Sequence, residues 1–295
     1  MKNSSHISRY QHVRKRQKLL AFFRLVRLPN LVMIALCQVL VALKLVATPW
    51  PQTGVSAFQL FVLVLATTAS AAGGYIINDY YDIKIDILNK PGRVVVGKLI
   101  SRRRSMIAHL LLAGFAIVLS GVLSMQIMIV TTFCSGWLWL YSNRLKRLPG
   151  IGNITIAILT TVAIYLPVLI FPPAKQELYI FCLFAFWLSL IREIIKDLED
   201  MRGDARHGCR TLPILFGLRT TKNLIYVLVG LFILNAIFAL NVLHFHWFIP
   251  GFVLSICLAL IVVKLLKADK TADFTQLSLW CKWLMLGGTL SILFV

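Results

Sequence analysis

Three aspartates, Asp79, Asp82 and Asp86, stand at intervals of three and four residues in the segment 75–93, which reads YIINDYYDIKIDILNKPGR. The chain holds only 11 acidic residues against 31 Lys and Arg, so these carboxylates are a local concentration. On an α-helix, where successive residues are about 100° apart, all three would project from one face. Such a face can hold a hard divalent cation through oxygen ligands.

A second segment, IIKDLEDMRGD, repeats the same spacing. The alternative interpretation is ordinary acidic residues in two solvated loops, and the duplication counts against it. Mg2+ is usually bound by one or two carboxylates together with the phosphate oxygens of a substrate. The two motifs therefore predict two metal-binding faces, formed by Asp79, Asp82, Asp86, Asp197, Asp200 and Asp204.

The composition is that of a membrane protein. Hydrophobic residues make up 59% of the chain and charged residues 14%, against about 25% charged residues in an average soluble domain. A net charge of +20 would suggest a nucleic-acid partner in a soluble protein. Here no such partner is predicted, because Lys and Arg also collect in the cytoplasmic loops of membrane proteins. The six cysteines show no CxxC spacing, so no zinc site or disulfide framework is predicted.

Runs of about twenty apolar residues predict an all-α, multi-pass protein of the cell membrane. If the N-terminus is cytoplasmic, all Lys and Arg except Lys44, Lys175 and Lys282 fall on the cytoplasmic side, as the positive-inside rule requires. Residues 1–28 are predicted to be a basic cytoplasmic arm that contacts lipid headgroups, and residues 29–295 a single transmembrane domain. The nine predicted spans are 30–48, 56–77, 106–122, 124–141, 152–171, 178–195, 223–241, 247–265 and 276–294.

Both aspartate motifs fall on the predicted cytoplasmic side, after the second and the sixth span. Because four spans separate them, the halves 29–150 and 151–295 share one orientation, which is the pattern of a parallel internal repeat. Packed about an axis along the membrane normal, the halves would bring the two acidic faces together over a central cavity. Carboxylates at a membrane boundary are costly unless they are paired, metal-bound or functional, which favours a site here.

Facing acidic clusters at a bilayer surface suit a substrate with an anionic head and an apolar tail. Mg2+ bound to a diphosphate makes it a better leaving group. The allylic cation left behind needs a dry pocket with an aromatic face, for which the candidates are Tyr75, Tyr80, Tyr81 and Tyr141. Basic residues beside the motifs can complete the neutralisation of the head: Lys90, Arg93, Arg192 and Lys196.

These motifs carry a family resemblance. NDYYDIKID resembles the first motif, NDxxDxxxD, of the UbiA family of intramembrane prenyltransferases, and REIIKDLEDMRGDARHGCRTLPILFG resembles the second. The segments RLPN and YSNRLKR and the pair Gly152–Asn153 agree with it. The resemblance spans nearly the whole chain. It implies nine transmembrane helices around a central cavity under a cytoplasmic cap, with Mg2+ as cofactor and a prenyl diphosphate as donor.

The resemblance also implies roles for individual residues. Asn78, Asp79 and Asp82, supported by Asp86, would bind the first Mg2+–diphosphate group, and the second motif would bind the other. The implied catalytic residues are Asp79, Asp82, Asp197, Asp200 and Tyr141, the last shielding the cation. The implied diphosphate contacts are Asn78, Lys146, Arg27, Lys196 and Arg93. For Lys146 and Arg27, a position in a positive-inside segment is an equally good explanation.

The acceptor is less constrained than the donor. The second motif is most similar to the digeranylgeranylglyceryl phosphate synthase branch, which implies geranylgeranylglyceryl phosphate as acceptor. After the first motif many family members read RPIPSG, whereas residues 93–98 read RVVVGK and lack both prolines. An aromatic acceptor, such as a quinone, chlorophyll-type or haem-type precursor, is therefore kept as the alternative. An ion-coupled transporter is a more distant alternative, because acidic residues at a repeat interface also describe ion pathways. A structural scaffold would leave the paired motifs unexplained.

Overall fold

A computed structural model describes residues 19–46, 57–92, 94–240 and 248–294. A short helix, Leu19–Leu25, is bent by 55° from the first long helix. The long helices in this part of the chain are α1 (Leu28–Lys44), α2 (Ala57–Asn89), α3 (Arg102–Leu123), α4 (Met125–Asn143), α5 (Ile151–Tyr165), α6 (Gln176–Arg206), α7 (Leu212–Leu240), α8 (Phe248–Leu266) and α9 (Thr271–Ser291). The predicted all-α fold is confirmed. Most of the predicted basic arm, residues 1–18, and Arg93 lie outside the described residues.

Each predicted span overlaps one of these helices. Six helices, α2, α3, α5 with the turn that follows it, α6, α7 and α9, are long and apolar enough to cross a membrane. The bent pair of Leu19–Leu25 and α1 makes a seventh if it is counted as one span. The described ranges therefore show a multi-pass architecture, while the count of nine spans and the division into two halves stay predictions.

The two helices that carry the aspartate motifs continue past the predicted spans. The apolar run of the second span was expected to end at 77, but α2 continues to Asn89, where the Lys-Pro-Gly sequence stops it. The sixth span was expected to end at 195, but α6 continues to Arg206. Hydropathy marks where a helix leaves the membrane, not where its hydrogen-bonded backbone ends. Both motifs are therefore helical, which is the condition for a shared carboxylate face.

Helix α7 also differs from its predicted span, 223–241. It begins at Leu212 and is interrupted at Gly217, whose backbone is not helical (φ 78°, ψ 168°). Such a positive φ is readily available to glycine and strained for other residues. The polar stretch that contains Arg219 and Lys222 hides the early start in a hydropathy profile.

Apolar packing and short polar contacts hold the bundle together. The largest buried cluster joins α6, α7, α8 and α9 through residues such as Ile191, Ile225 and Leu277. Between helices, the hydroxyl groups of Ser70 and Ser135 lie 2.8 Å apart. Small hydroxyl residues of this kind let membrane helices approach closely and bond to each other.

Asn89 joins the ends of the two motif-bearing helices. Its Nδ2 donates to the backbone carbonyl of Asp200 (3.0 Å), and its Oδ1 accepts from the backbone N–H of Gly203 (2.9 Å). A Cβ atom on Gly203 would lie 2.5 Å from side-chain atoms of Asn89. Gly203 therefore permits the close approach that brings the end of α2 against the second motif.

We expect Gly203→Ala to destabilise the protein. The added methyl group must displace Asn89 and break both hydrogen bonds, and overpacking of this kind costs about 1–3 kcal/mol. The measurement is the midpoint of thermal unfolding in detergent. Gly230→Ala is the matched control, because a Cβ on Gly230 would have nothing within 4 Å and alanine favours a helix over glycine by roughly 1 kcal/mol. Equal midpoints for the two variants would contradict the proposed contact.

Candidate active site

A cavity of about 690 Å³ lies inside the bundle. All of the long helices except α3 contribute residues to its lining, and most of these residues are apolar, for example Leu188, Phe232 and Leu258. Most of the charged residues in its lining lie near the motif-bearing ends of α2 and α6. The polar and aromatic residues there are Arg27, Asn30, Tyr75, Asn78, Tyr141, Arg192, Glu193 and Lys196.

In the first motif, two aspartates are held by basic residues from other elements. Arg27 donates from Nη2 to Oδ1 of Asp79 (3.0 Å), and Lys146 forms an ion pair with Asp82. The guanidinium carbon of Arg27 also lies 4.8 Å from the ring centroid of Tyr75. Arg27 has a positive φ of 52°, a left-handed conformation that costs roughly 1–2 kcal/mol for a non-glycine residue. Its side-chain contacts are what stabilise this strained position at the start of α1.

The second motif is held in the same way. The Nζ of Lys90, just after α2, lies 2.9 Å from Oδ1 of Asp200. Asp197 accepts a hydrogen bond from Nδ2 of Asn153 (2.8 Å). Lys90 also forms an ion pair with the buried Glu199 (3.1 Å). Because Lys90 belongs to the end of the first motif and Asp200 to the second, this contact bridges the two motifs.

The remaining two aspartates show that the motifs face each other. The charge of Asp204 interacts with those of Asp82 and Lys146 from the first side of the site. Likewise, the charge of Asp86 in the first motif interacts with that of Asp200 in the second. The two motifs therefore lie close to each other, as the sequence predicts.

One connection supplies both motifs with partners. The 3-10 turn Leu145–Arg147 carries Lys146 to Asp82, and the start of α5 carries Asn153 to Asp197. A Cβ atom on Gly152 would lie 2.7 Å from the Cα of Lys146. Glycine at 152 thus lets the start of α5 pack directly on the turn.

Lys90 is a permanent positive charge in this site. Burial alone lowers the pKa of Lys90, but the carboxylates of Asp200 and Glu199 outweigh that effect and raise the pKa above its usual value. Its charge is present at every pH below its ordinary pKa of about 10.4 and is lost only as the pH rises through the higher folded value. Lys90 therefore keeps its positive charge throughout the neutral pH range.

The carboxylate oxygens of the two motifs are ligands that suit Mg2+. The described residues, however, contain no group of three or more His, Cys, Asp and Glu side chains that could hold a metal by themselves. Mg2+ prefers oxygen ligands and usually takes one or two carboxylates together with substrate phosphates. Six aspartates in two facing motifs fit a site that a phosphate-bearing substrate completes. Before a substrate binds, basic side chains hold Asp79, Asp82 and Asp200, and Asn153 holds Asp197.

Not every aromatic candidate lines the cavity. Tyr75 and Tyr141 line the cavity, as does Asn78, whereas Tyr80 and Tyr81 are not among the lining residues. Tyr80 instead packs its ring against that of Tyr81 (5.3 Å between centroids) and lies 4.8 Å below the guanidinium carbon of Arg102. Lys196 lines the cavity but pairs with Glu193.

Sequence reasoning missed two residues of the site, Asn89 and Glu193. The signal for Glu193 was present, because it is a single acid in the apolar run LSLIREII. Asn89 gave no signal, because its two hydrogen bonds depend on how α2 and α6 pack.

The chain also matches the family model described as UbiA prenyltransferase family over residues 32–285. It belongs to the UbiA prenyltransferase family. This UbiA-family protein is 31% identical over 257 residues to the digeranylgeranylglyceryl phosphate synthase of Sulfurisphaera tokodaii, covering 84% of this chain and 88% of that protein. It is 32% identical over 205 residues to the enzyme of the same name from Methanosphaera stadtmanae, covering 70% and 74%. The chain is thus a prenyltransferase.

Solved structures agree on the fold of this UbiA-family protein. A structure described as digeranylgeranylglyceryl phosphate synthase in membranes has a TM-score of 0.71 at 23% identity, covering 94% of this chain and 97% of that one. A UbiA homologue from Archaeoglobus fulgidus, bound to DMAPP and Mg2+, has a TM-score of 0.62 at 16% identity, covering 92% and 98%. At these identities the likeness shows a shared helical architecture.

We expect Gly152→Ala to impair this prenyltransferase. The methyl group must push the backbone of Lys146 away from α5 and so move its ammonium group relative to Asp82. A displacement of about 1 Å in a positioning residue can cost on the order of 100-fold in rate, so kcat/KM for the prenyl diphosphate should fall by at least about 10-fold. Gly136→Ala on α4 is the control, because a Cβ there has open space. Unchanged kinetics in the Gly152 variant would show that the close contact does not position Lys146.

Proposed function

We propose that this prenyltransferase catalyses the Mg2+-dependent transfer of a geranylgeranyl group from its diphosphate to geranylgeranylglyceryl phosphate. The observation that carries the proposal is the pair of facing aspartate motifs beside an apolar cavity with a polar end. Two further findings support it. Relatives of similar length are named digeranylgeranylglyceryl phosphate synthase, and structural neighbours are bound to DMAPP or GPP with Mg2+.

The donor diphosphate would lie between the two motifs. Asp79, Asp82 and Asp86 on one side and Asp197, Asp200 and Asp204 on the other would hold Mg2+, which stabilises the charge that develops on the departing diphosphate. Arg27 and Lys146 now neutralise Asp79 and Asp82. They would turn from these carboxylates to the diphosphate oxygens, and Asn78 would add a neutral hydrogen-bonding group at the cavity wall.

The apolar cavity would hold the prenyl chain. Its volume of about 690 Å³ is within the usual range of about 300–1,000 Å³ for ligand pockets. Tyr75 and Tyr141 line it near the motifs and would shield the allylic cation with their ring faces. The bond from C1 of the prenyl chain to the diphosphate oxygen breaks, with the electron pair leaving on the diphosphate. A new ether bond forms from C1 to the glyceryl hydroxyl oxygen, which loses its proton.

We further propose that the protein lies in the cell membrane with its N-terminus and active site on the cytoplasmic side. The support is the distribution of Lys and Arg, of which all but three lie in segments on one side of the predicted spans. The membrane excludes water from the chain end of the cavity and so protects the cation from hydrolysis.

The direct test uses the purified protein with Mg2+ and radiolabelled geranylgeranyl diphosphate. Geranylgeranylglyceryl phosphate and 4-hydroxybenzoate are offered in separate reactions. We expect labelled ether lipid in the first reaction only, and we expect EDTA to abolish it because the diphosphate is then neither bound nor activated. Product only with 4-hydroxybenzoate would move the enzyme to aromatic prenylation. Unchanged donor in both reactions would contradict the proposed substrates.

Substitution of the motifs tests the two-sided site. We expect Asp79→Asn and Asp197→Asn each to lower kcat by at least about 100-fold, the scale of losing one group that stabilises transition-state charge. Both variants should retain the elution profile of a folded protein in size-exclusion chromatography. Asp269→Asn is the control, because its side chain is 74% exposed and, among the described residues, its ion pair is with Lys222. Near-normal turnover in either motif variant would be inconsistent with a site built from both motifs.

A further inference from the structure

A second group of charged residues lies in the cavity, one helical turn before the second motif. Arg192, Glu193 and Lys196 of α6 all line the cavity. Arg192 donates from Nη1 to Oε1 of Glu193 (2.9 Å), and Lys196 donates from Nζ to Oε2 of Glu193 (2.8 Å). The carboxylate of Glu193 is only 7% exposed. The trio has a net charge of +1.

This group differs from the cations that hold the aspartate motifs. Asp79, Asp82 and Asp200 already have partners in Arg27, Lys146 and Lys90. Arg192 and Lys196 instead form their ion pairs with Glu193, which is not one of the six motif aspartates.

Location also distinguishes the trio from the motif aspartates. None of the six motif aspartates is among the residues that line the cavity, whereas all three members of the trio are. The trio therefore lies on the cavity side of the proposed donor site.

The hydrogen-bonding capacity of the trio is incompletely used. The Nε of Arg192 is buried and has no hydrogen-bond partner within the described ranges. Burying an ion pair costs free energy unless its geometry and remaining hydrogen bonds are satisfied, and an unused charged donor adds to that cost. Burying these charges in a largely apolar cavity lowers stability, so their presence points to an anion that enters the cavity.

We infer that Arg192 and Lys196 bind the phosphate of the acceptor lipid, and that Glu193 is the counter-ion that holds them in place when no acceptor is bound. This assignment rests on the proposed function and names the acceptor part of the same site. A guanidinium group binds phosphate through two parallel hydrogen bonds from one edge of its planar fork. The Nε edge of Arg192 retains that capacity, and Lys196 supplies a second positive charge.

The position of the trio also indicates where the two substrates would lie relative to each other. Lys196 precedes Asp197 of the second motif, and the charges of these two residues interact. Arg27, which holds Asp79, also interacts with Glu193 through its charge. A phosphate bound by Arg192 and Lys196 would thus lie next to the donor diphosphate. The glyceryl hydroxyl, only a few bonds from that phosphate, would then reach C1 of the prenyl chain.

The test compares two acceptors in two proteins. Geranylgeranylglyceryl phosphate and its phosphate-free analogue, geranylgeranylglycerol, are offered to the wild-type enzyme and to Arg192→Gln. We expect Arg192→Gln to lower kcat/KM for the phosphate acceptor by about 10- to 100-fold, mostly through KM, since hydrogen bonds to charged groups have this strength. The rate with geranylgeranylglycerol and the KM for the prenyl diphosphate should change by less than about 3-fold. Arg192→Lys keeps the positive charge but loses the planar guanidinium group. Its kcat/KM for the phosphate acceptor should therefore lie between the values of the wild-type enzyme and Arg192→Gln.

Arg219→Gln is the matched control, because it removes the same charge from an exposed position on α7. The unchanged rate with geranylgeranylglycerol shows that the variant is folded. Should Arg192→Gln not fold, Arg192→Lys is used instead, and the assignment predicts a larger loss of kcat/KM with the phosphate acceptor than with geranylgeranylglycerol.

Three results would overturn the assignment. The first is an equal loss with both acceptors, and the second is a wild-type enzyme that uses both equally well; in either case the proposed reaction stands. The third is the absence of product from both acceptors in the wild-type enzyme, which would overturn the proposed function and this assignment with it.

Discussion

The neutralisation of carboxylates beside an apolar cavity is the constraint on which the rest of this structure depends. A partly buried carboxylate without a partner is strongly destabilising, and here each partner comes from a different element. Arg27 precedes α1, Lys90 follows α2, and Lys146 lies in the turn after α4. The ends of the helices are therefore held together by the same charges that form the site, so the stability of this end and its chemistry are coupled.

Close backbone contacts give those charges their positions. Gly152 lets α5 pack on the turn that carries Lys146. Gly203 lets Asn89, at the end of α2, come close enough to hydrogen-bond with α6. Arg27 reaches Asp79 from a left-handed backbone conformation that is unfavourable for arginine. The backbone strain at Arg27 and the use of glycine at positions 152 and 203 lower local stability. In return, the charged groups are held in the positions that a two-sided site requires.

The arrangement suggests a division of labour between two cationic groups. The first, Arg27, Lys90 and Lys146, contacts the aspartate motifs and would exchange those contacts for a diphosphate and its metal ions. The second, Arg192 and Lys196, faces the cavity around Glu193 and would receive the acceptor. Tyr75 and Tyr141 also line the cavity, where their rings would face the cation. The polar end of the cavity would thus provide separate contacts for two anionic substrates, while the apolar remainder would accept their chains.

Local sequence pattern was enough to predict the all-α membrane architecture, the family and the convergence of the two aspartate motifs, because hydropathy and helical periodicity depend only on neighbouring residues. It could not predict how far α2 and α6 continue beyond the apolar runs, since the backbone hydrogen bonds of a helix do not end where its hydrophobic residues do. The partners of the carboxylates were equally out of reach. Asn89 contacts residues more than a hundred positions away, and Lys146 pairs with Asp82 across 64 positions. Such contacts are decided by how helices pack in three dimensions, and no spacing along the chain records that.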